Sequence, residues 1–122
     1  MDIEQYSKQA LRTTHSGLSP TDQIINAVMG LSGESGEIID YIKKVLFHNK
    51  PCDQAVLVKE LGDCLFYMNW LARLYGIDWA EIMTTNLAKL QARYPNGFNS
   101  IAANNRDLVA EEAAINASKQ GE

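Results

Sequence analysis

A chain of 122 residues is long enough to bury a core within one domain. Its formal net charge is −4, from 15 acidic against 11 basic residues, and the basic residues are scattered. That excludes the basic patch of a general nucleic-acid binder, and no apolar run approaches the roughly 20 residues of a membrane span.

The opening MDIEQYSKQA has neither a basic segment nor an apolar one, so no signal peptide is expected and the location expected is the cytoplasm. Two cysteines, Cys52 and Cys64, form no CxxC or His/Cys zinc pattern and read as reduced thiols. Neither His15 nor His48 has a second histidine at metal-ligand spacing. There is no internal repeat, low-complexity tract or interdomain linker. Residues 1–122 are therefore expected to form one domain, with a core over about 3–112 and a polar, fraying tail over 113–122.

Helical periodicity runs through the chain. A first helix is expected over about Ile3 to Thr14, then a loop from His15 to Ser19. Ser19-Pro20-Thr21-Asp22 is a helix start, with Ser19 as N-cap and Pro20 in the first turn. The second helix extends to about His48, with Ile24, Ile25, Val28, Leu31, Ile38, Ile42, Val45 and Leu46 at core spacing. Gly30, Gly33 and Gly36 interrupt its propensity at roughly 1 kcal/mol each. They imply a close approach by another backbone or a ligand, or else a break.

Asn49-Lys50-Pro51 ends this helix, and Asp53 caps a third that runs to about Tyr75, where Gly76 stops it. Asp78 starts a fourth helix, Trp79 to about Arg93, which Pro95-Asn96-Gly97 terminates. A last helix is expected from Asn104 or Asn105. The fold class is all-α: a bundle of four to five helices around a central antiparallel pair, helices two and three.

That central pair carries the most informative residues. Glu34 and Glu37 lie on helix two, Glu60 and Asp63 on helix three, each pair at i, i+3 and so on one face. Both faces border the apolar stripe, where clustered carboxylates repel each other unless a cation neutralises them. A hard divalent cation such as Mg2+ prefers oxygen ligands, and a polyphosphate is its usual partner. Lys43 and Lys44 fall at or beyond the edge of the Glu34/Glu37 direction, and Lys59 stands across from Asp63. Counting from the expected turn at about 1.5 Å per residue, Glu37 is roughly 18 Å away and Glu60 roughly 10 Å. The pairs meet if the third helix starts late or if the connection is asymmetric. A lone ExxE is common on solvated helix faces; two such pairs on consecutive helices are not.

The pattern Glu34-x-x-Glu37, the 22 residues from Ile38 to Lys59, then Glu60-x-x-Asp63 resembles the signature of the MazG-type all-α nucleoside triphosphate pyrophosphohydrolases. GLSGESGEIIDYIKK and KELGDCLFYMNWLA are similar to the family's local wording, and NLAKLQARYPNGF followed by NRD looks like the C-terminal block of its small single-domain members. The resemblance covers roughly residues 20 to 112. It implies Mg2+-dependent hydrolysis of nucleoside or deoxynucleoside triphosphates to the monophosphate and pyrophosphate, with Mn2+ as a substitute ion. It also implies that Glu34, Glu37, Glu60 and Asp63 hold the metal and carry catalysis. One carboxylate not fully used by metal would act as general base. A homodimer or a dimer of dimers is implied as well, with sites completed across subunits.

Asn86, Lys89 and Arg93 share one face of the fourth helix and suit substrate recognition: donor and acceptor, point charge, and bidentate fork. The alternative is a solvated stripe. Lys44 is a further candidate for a phosphate, and Tyr67 for ordering an acid or stacking on a base; core packing is Tyr67's other reading. Some relatives sandwich the base between N-terminal aromatic residues, but no tryptophan precedes Trp70 here. Their base selectivity does not transfer. A catalytically silent helical adaptor that binds a protein partner is the competing function, and four retained acids argue against it. A di-iron bundle would need Glu-x-x-His pairs, which are absent.

Overall fold

Capping residues set most helix boundaries in this chain. The computed structural model describes residues 1–121, and all regular structure among them is helical. The chain divides into two compact units, residues 1–77 and from Asp78 onward.

In the first unit, α1 (Ile3–Ala10) begins on a reciprocal cap. The Gln5 N–H donates to Asp2 Oδ1 at 2.8 Å, and the Asp2 N–H donates to Gln5 Oε1 at 3.0 Å. The chain then tightens into one 3-10 turn over Leu11–Thr13, so the α-helix expected to reach Thr14 stops at Ala10. Helix α2 (Pro20–Phe47) starts as its sequence predicts: Ser19 Oγ accepts from the Asp22 N–H at 3.1 Å, and Pro20 occupies the first turn. It is unbroken for 28 residues, glycines included.

The three glycines have different surroundings. A Cβ at Gly30 would collide with the Tyr67 ring, whereas Gly33 and Gly36 have nothing within 4 Å of that position. The close approach is thus made at Gly30 alone, by a side chain of α3 (Gln54–Leu74). Tyr67 is packed further against Phe66, edge-on at 5.1 Å between ring centroids, and against Trp70 at 6.4 Å. Asp53 caps α3 through the Ala55 N–H at 2.9 Å. Gly76, in the left-handed region at φ 66°, ends it, with the Ile77 N–H folded back onto the Ala72 carbonyl at 2.9 Å.

Helices α2 and α3 form an antiparallel hairpin: Gly30 faces Tyr67, Ser35 lies 3.9 Å from Cys64, and Tyr41 lies beside Asp53. The connection is asymmetric. Asn49 takes a left-handed turn (φ 54°), and the chain runs back along the end of α2 until Asp53 reaches Tyr41. Tyr41, 5% exposed, donates its hydroxyl hydrogen to the Asp53 carbonyl (3.0 Å) and accepts from the Asp53 N–H. This offset absorbs the mismatch that spacing alone predicts between the two acid pairs. Helix α1 is pinned on α3 by buried polar groups. Asn69 Nδ2 donates to the Ser7 carbonyl at 3.3 Å, and Arg73 donates to Ser7 Oγ at 3.1 Å and to Glu4 at 2.7 Å.

The second unit contains α4 (Trp79–Arg93), α5 (Ser100–Asn104) and α6 (Leu108–Lys119), with α4 packed on α6. The bounds of α4 are those expected. Helix α5 brings the helices among the described residues to six, against the four to five expected; Asn99 caps its Ile101 and Ala102 N–H groups at 2.8 and 3.0 Å. Asp107 caps α6 at the Ala110 N–H (3.0 Å), and the helix continues through Lys119, so most of the expected tail is helical. No helix of the described residues is long and apolar enough to cross a membrane.

Candidate functional site

The antiparallel hairpin brings Glu34 of α2 next to Glu60 and Asp63 of α3. One carboxylate oxygen from each lies within 4.8 Å of the others, and all three residues are half-buried. Only Glu34 of the first pair joins this trio. Glu37 is one turn further along α2 and exposed.

The trio is electrostatically unfavourable on its own. The Glu34 carboxyl is pushed above its ordinary value, first by burial, then by the negative charges of Asp63, Glu60 and Glu37; the nearby Lys59 ammonium offsets part of this. Lys59 lies 3.6 Å from Glu60, whose side chain is 13% exposed. The Tyr6 phenol of α1 is likewise pushed up, by burial and by the Asp63 charge. Helix α1 therefore adds an aromatic residue beside the acids, and its sequence position gives no hint of this.

Three oxygens at this separation suit a hard divalent cation. Ligands on opposite sides of Mg2+ stand about 4 Å apart, so small rotamer adjustments close the set around one ion. The donor chemistry fits too: carboxylates only, with no imidazole or thiolate. Cys64, the nearest sulfur, is buried and faces Ser35 Oγ. Cys52 is exposed.

The other predicted residues fall in different places. Lys44 pairs with Asp40 at 2.6 Å on the surface of α2; this raises the Lys44 ammonium and lowers the Asp40 carboxyl from their ordinary values. Tyr67 is half-buried against Gly30 and the α3 aromatics. Asn86 (exposed), Lys89 (half-buried) and Arg93 belong to α4, in the second unit. Arg93, expected to present its fork to a phosphate, has both ends of it on Glu111, at 2.8 and 2.9 Å.

A helical hairpin that gathers carboxylates from both its arms defines a class of acidic all-α sites that can hold a metal ion. Residues 24–98 match the family model described as the MazG nucleotide pyrophosphohydrolase domain, a stretch that contains α3, all four acids and the α4 residues. The chain belongs to that family. It is also similar to the "Gene 37 protein" of Mycobacterium phage L5, at 34% identity over 82 residues, which span 64% of this chain and 72% of the phage protein. No solved structure matches.

Proposed function

We propose that this protein hydrolyses nucleoside or deoxynucleoside triphosphates between the α and β phosphates, yielding the monophosphate and pyrophosphate. The observation that carries this reading is the Glu34, Glu60 and Asp63 trio, with oxygens within 4.8 Å, inside a MazG domain. The role is control or sanitation of the nucleotide pool in the cytoplasm, and the ion is Mg2+, with Mn2+ as a substitute.

Glu34, Glu60 and Asp63 would hold the ion. Mg2+ bound there supplies neutralisation of phosphate charge and a more acidic water. Around it the chain's own groups divide the work. The half-buried setting of the trio restricts water and strengthens each electrostatic contact with the substrate. A carboxylate not fully used by the ion accepts the proton of the attacking water. Lys44 is held only by a surface ion pair, worth about 0–1 kcal/mol, and can exchange Asp40 for a phosphate oxygen. Asn86 and Lys89, on α4 of the second unit, are kept as proposed substrate contacts, and Arg93 of the same helix is bonded to Glu111. Tyr67, seated on Gly30, braces the α2–α3 contact one turn from Glu34.

The test is pyrophosphate release from a panel of canonical and modified triphosphates, with Mg2+ and with chelator. Metal-dependent release supports the reading. A folded protein that binds Mg2+ and releases none from any triphosphate overturns it, and one that binds no metal favours the adaptor.

The protein is further proposed to be a homodimer or a dimer of dimers. Ile25, Ile39 and Leu46 recur on α2 at multiples of seven residues and are 48%, 70% and 67% exposed; Leu61 of α3 is 58% exposed. Helices that leave such a stripe uncovered bury it by pairing. Light scattering at micromolar concentration is expected to give at least a dimer mass; a stable monomer contradicts this.

A further inference from the structure

Beside the acid trio, the α2–α3 connection borders a small, half-open polar cavity of about 130 Å3. Its walls have two characters. Three carboxylates line it, Glu37, Asp40 and Glu60, and two ammonium groups, Lys44 and Lys50, of which Lys44 is paired with Asp40 at 2.6 Å. We propose that this cavity receives the two terminal phosphates of the substrate, the future pyrophosphate, and that Lys50 is a substrate-binding residue that fixes which phosphoanhydride bond is cleaved. The proposal rests on the triphosphate reading above and names the part of the substrate bound here.

Several features build Lys50 into place. The left-handed Asn49 turns the chain, the Lys50 N–H donates to the Lys44 carbonyl at 3.2 Å, and the Lys50 ammonium lies 5.0 Å from the centre of the Tyr41 ring. Tyr41 is itself locked by its two bonds to the Asp53 backbone, so the ring is a fixed platform. Among the described residues no carboxylate pairs with Lys50, which sits over the ring's π face instead. Lys50 thus brings an ammonium group with no carboxylate partner to a cavity otherwise lined by Glu37, Glu60 and the Lys44–Asp40 pair.

That mix of charges suits a polyphosphate that arrives with its divalent cation: the cation offsets the carboxylates, and anionic oxygens meet the Lys50 ammonium. With the β and γ phosphates seated here, the α phosphorus lies towards the acid trio, where water attacks. The P–O bond to the β phosphate breaks, its electron pair leaves with pyrophosphate, and the Lys50 ammonium offsets the charge that develops there.

The experiment is calorimetric titration of the full-length protein with Mg2+ and sodium pyrophosphate. Wild type is expected to bind the pair. Lys50→Gln is expected to weaken pyrophosphate binding roughly ten- to a hundredfold, as for loss of one charge-assisted contact. Titration with Mg2+ alone should be unchanged, Lys50→Arg should restore most of the binding, and Lys43→Gln, on the neighbouring surface, should leave it intact. Wild-type pyrophosphate affinity in a folded Lys50→Gln protein overturns the proposal, as does a wild type that binds no pyrophosphate. The two readings fail separately. Absence of triphosphate hydrolysis with Lys50-dependent pyrophosphate binding intact removes the enzymatic reading alone; hydrolysis with Lys50-independent binding removes the subsite alone.

Discussion

Replacing Glu60 with glutamine is expected to lower metal-dependent triphosphate turnover by about a thousandfold, the scale of losing a principal electrostatic group. Glutamine keeps the shape and removes one of the three charges that gather within 4.8 Å. Its amide remains an oxygen donor but no longer neutralises a dication. The same change relieves repulsion within the apo trio, so the melting temperature is expected to stay level or rise. This pairing of outcomes is diagnostic. Were Glu60 mainly the partner of Lys59, 3.6 Å away, the substitution would leave turnover near wild type, because an exposed lysine contributes little. Turnover assays alongside thermal melts separate the two; most activity retained in Glu60→Gln removes this residue from the site.

The second large effect is on stability. Glu111 of α6 is buried, with 5% of its side chain exposed, and is gripped by two guanidinium groups. Arg93 bonds both its oxygens, and Arg106 adds contacts at 2.8 and 3.3 Å. These bonds hold the Glu111 carboxyl far below the ordinary glutamate value of 4.5 and raise the Arg93 guanidinium further. Glu111→Gln leaves two facing guanidinium groups around a neutral amide, an uncompensated arrangement with α4 and α6 on either side. The melting temperature is expected to fall on the order of 10 °C.

The pH dependence follows from the sign of the shift. A carboxyl whose folded value is depressed contributes stability above its unfolded value, and that contribution is lost as pH falls through the folded one. Wild type should therefore lose stability progressively below about pH 4.5, and Glu111→Gln should show a flatter slope in that window. Melts followed by circular dichroism between pH 7 and pH 3 provide the check. Equal slopes, or an unchanged melting temperature, contradict the role assigned to Glu111.

Much of the fold was legible where a local signal decides a boundary. Ser19-Pro20 starts α2, Asp53 starts α3, Gly76 ends it, and α4 ends before Pro95 because these residues act on their nearest backbone groups. The acid pairs were legible for a similar reason: i, i+3 spacing fixes a shared face whatever else the chain does. Features that depend on distant parts of the chain were not. Which of Glu34 and Glu37 meets Glu60 depends on register, set by the Tyr41–Asp53 bonds across the connection. Lys50 reads as part of a helix-breaking turn, and only the fold places its ammonium over Tyr41. Arg93 reads as a phosphate fork in sequence, and nothing in its own helix marks the buried Glu111 of α6 as the partner that the fold gives it. Helix α5 was missed because five residues are too few to display a 3.6-residue period. Tyr6 lies outside the matched family region, on a helix whose relation to Asp63 follows from the Ser7, Asn69 and Arg73 contacts.

The most direct measurement is phosphorus NMR of a nucleoside triphosphate incubated with the protein and Mg2+. Monophosphate and pyrophosphate are expected to appear in equal amounts, and chelator to abolish both. Appearance of diphosphate with inorganic phosphate, or no Mg2+-dependent change in any triphosphate by a folded, metal-binding protein, would contradict it.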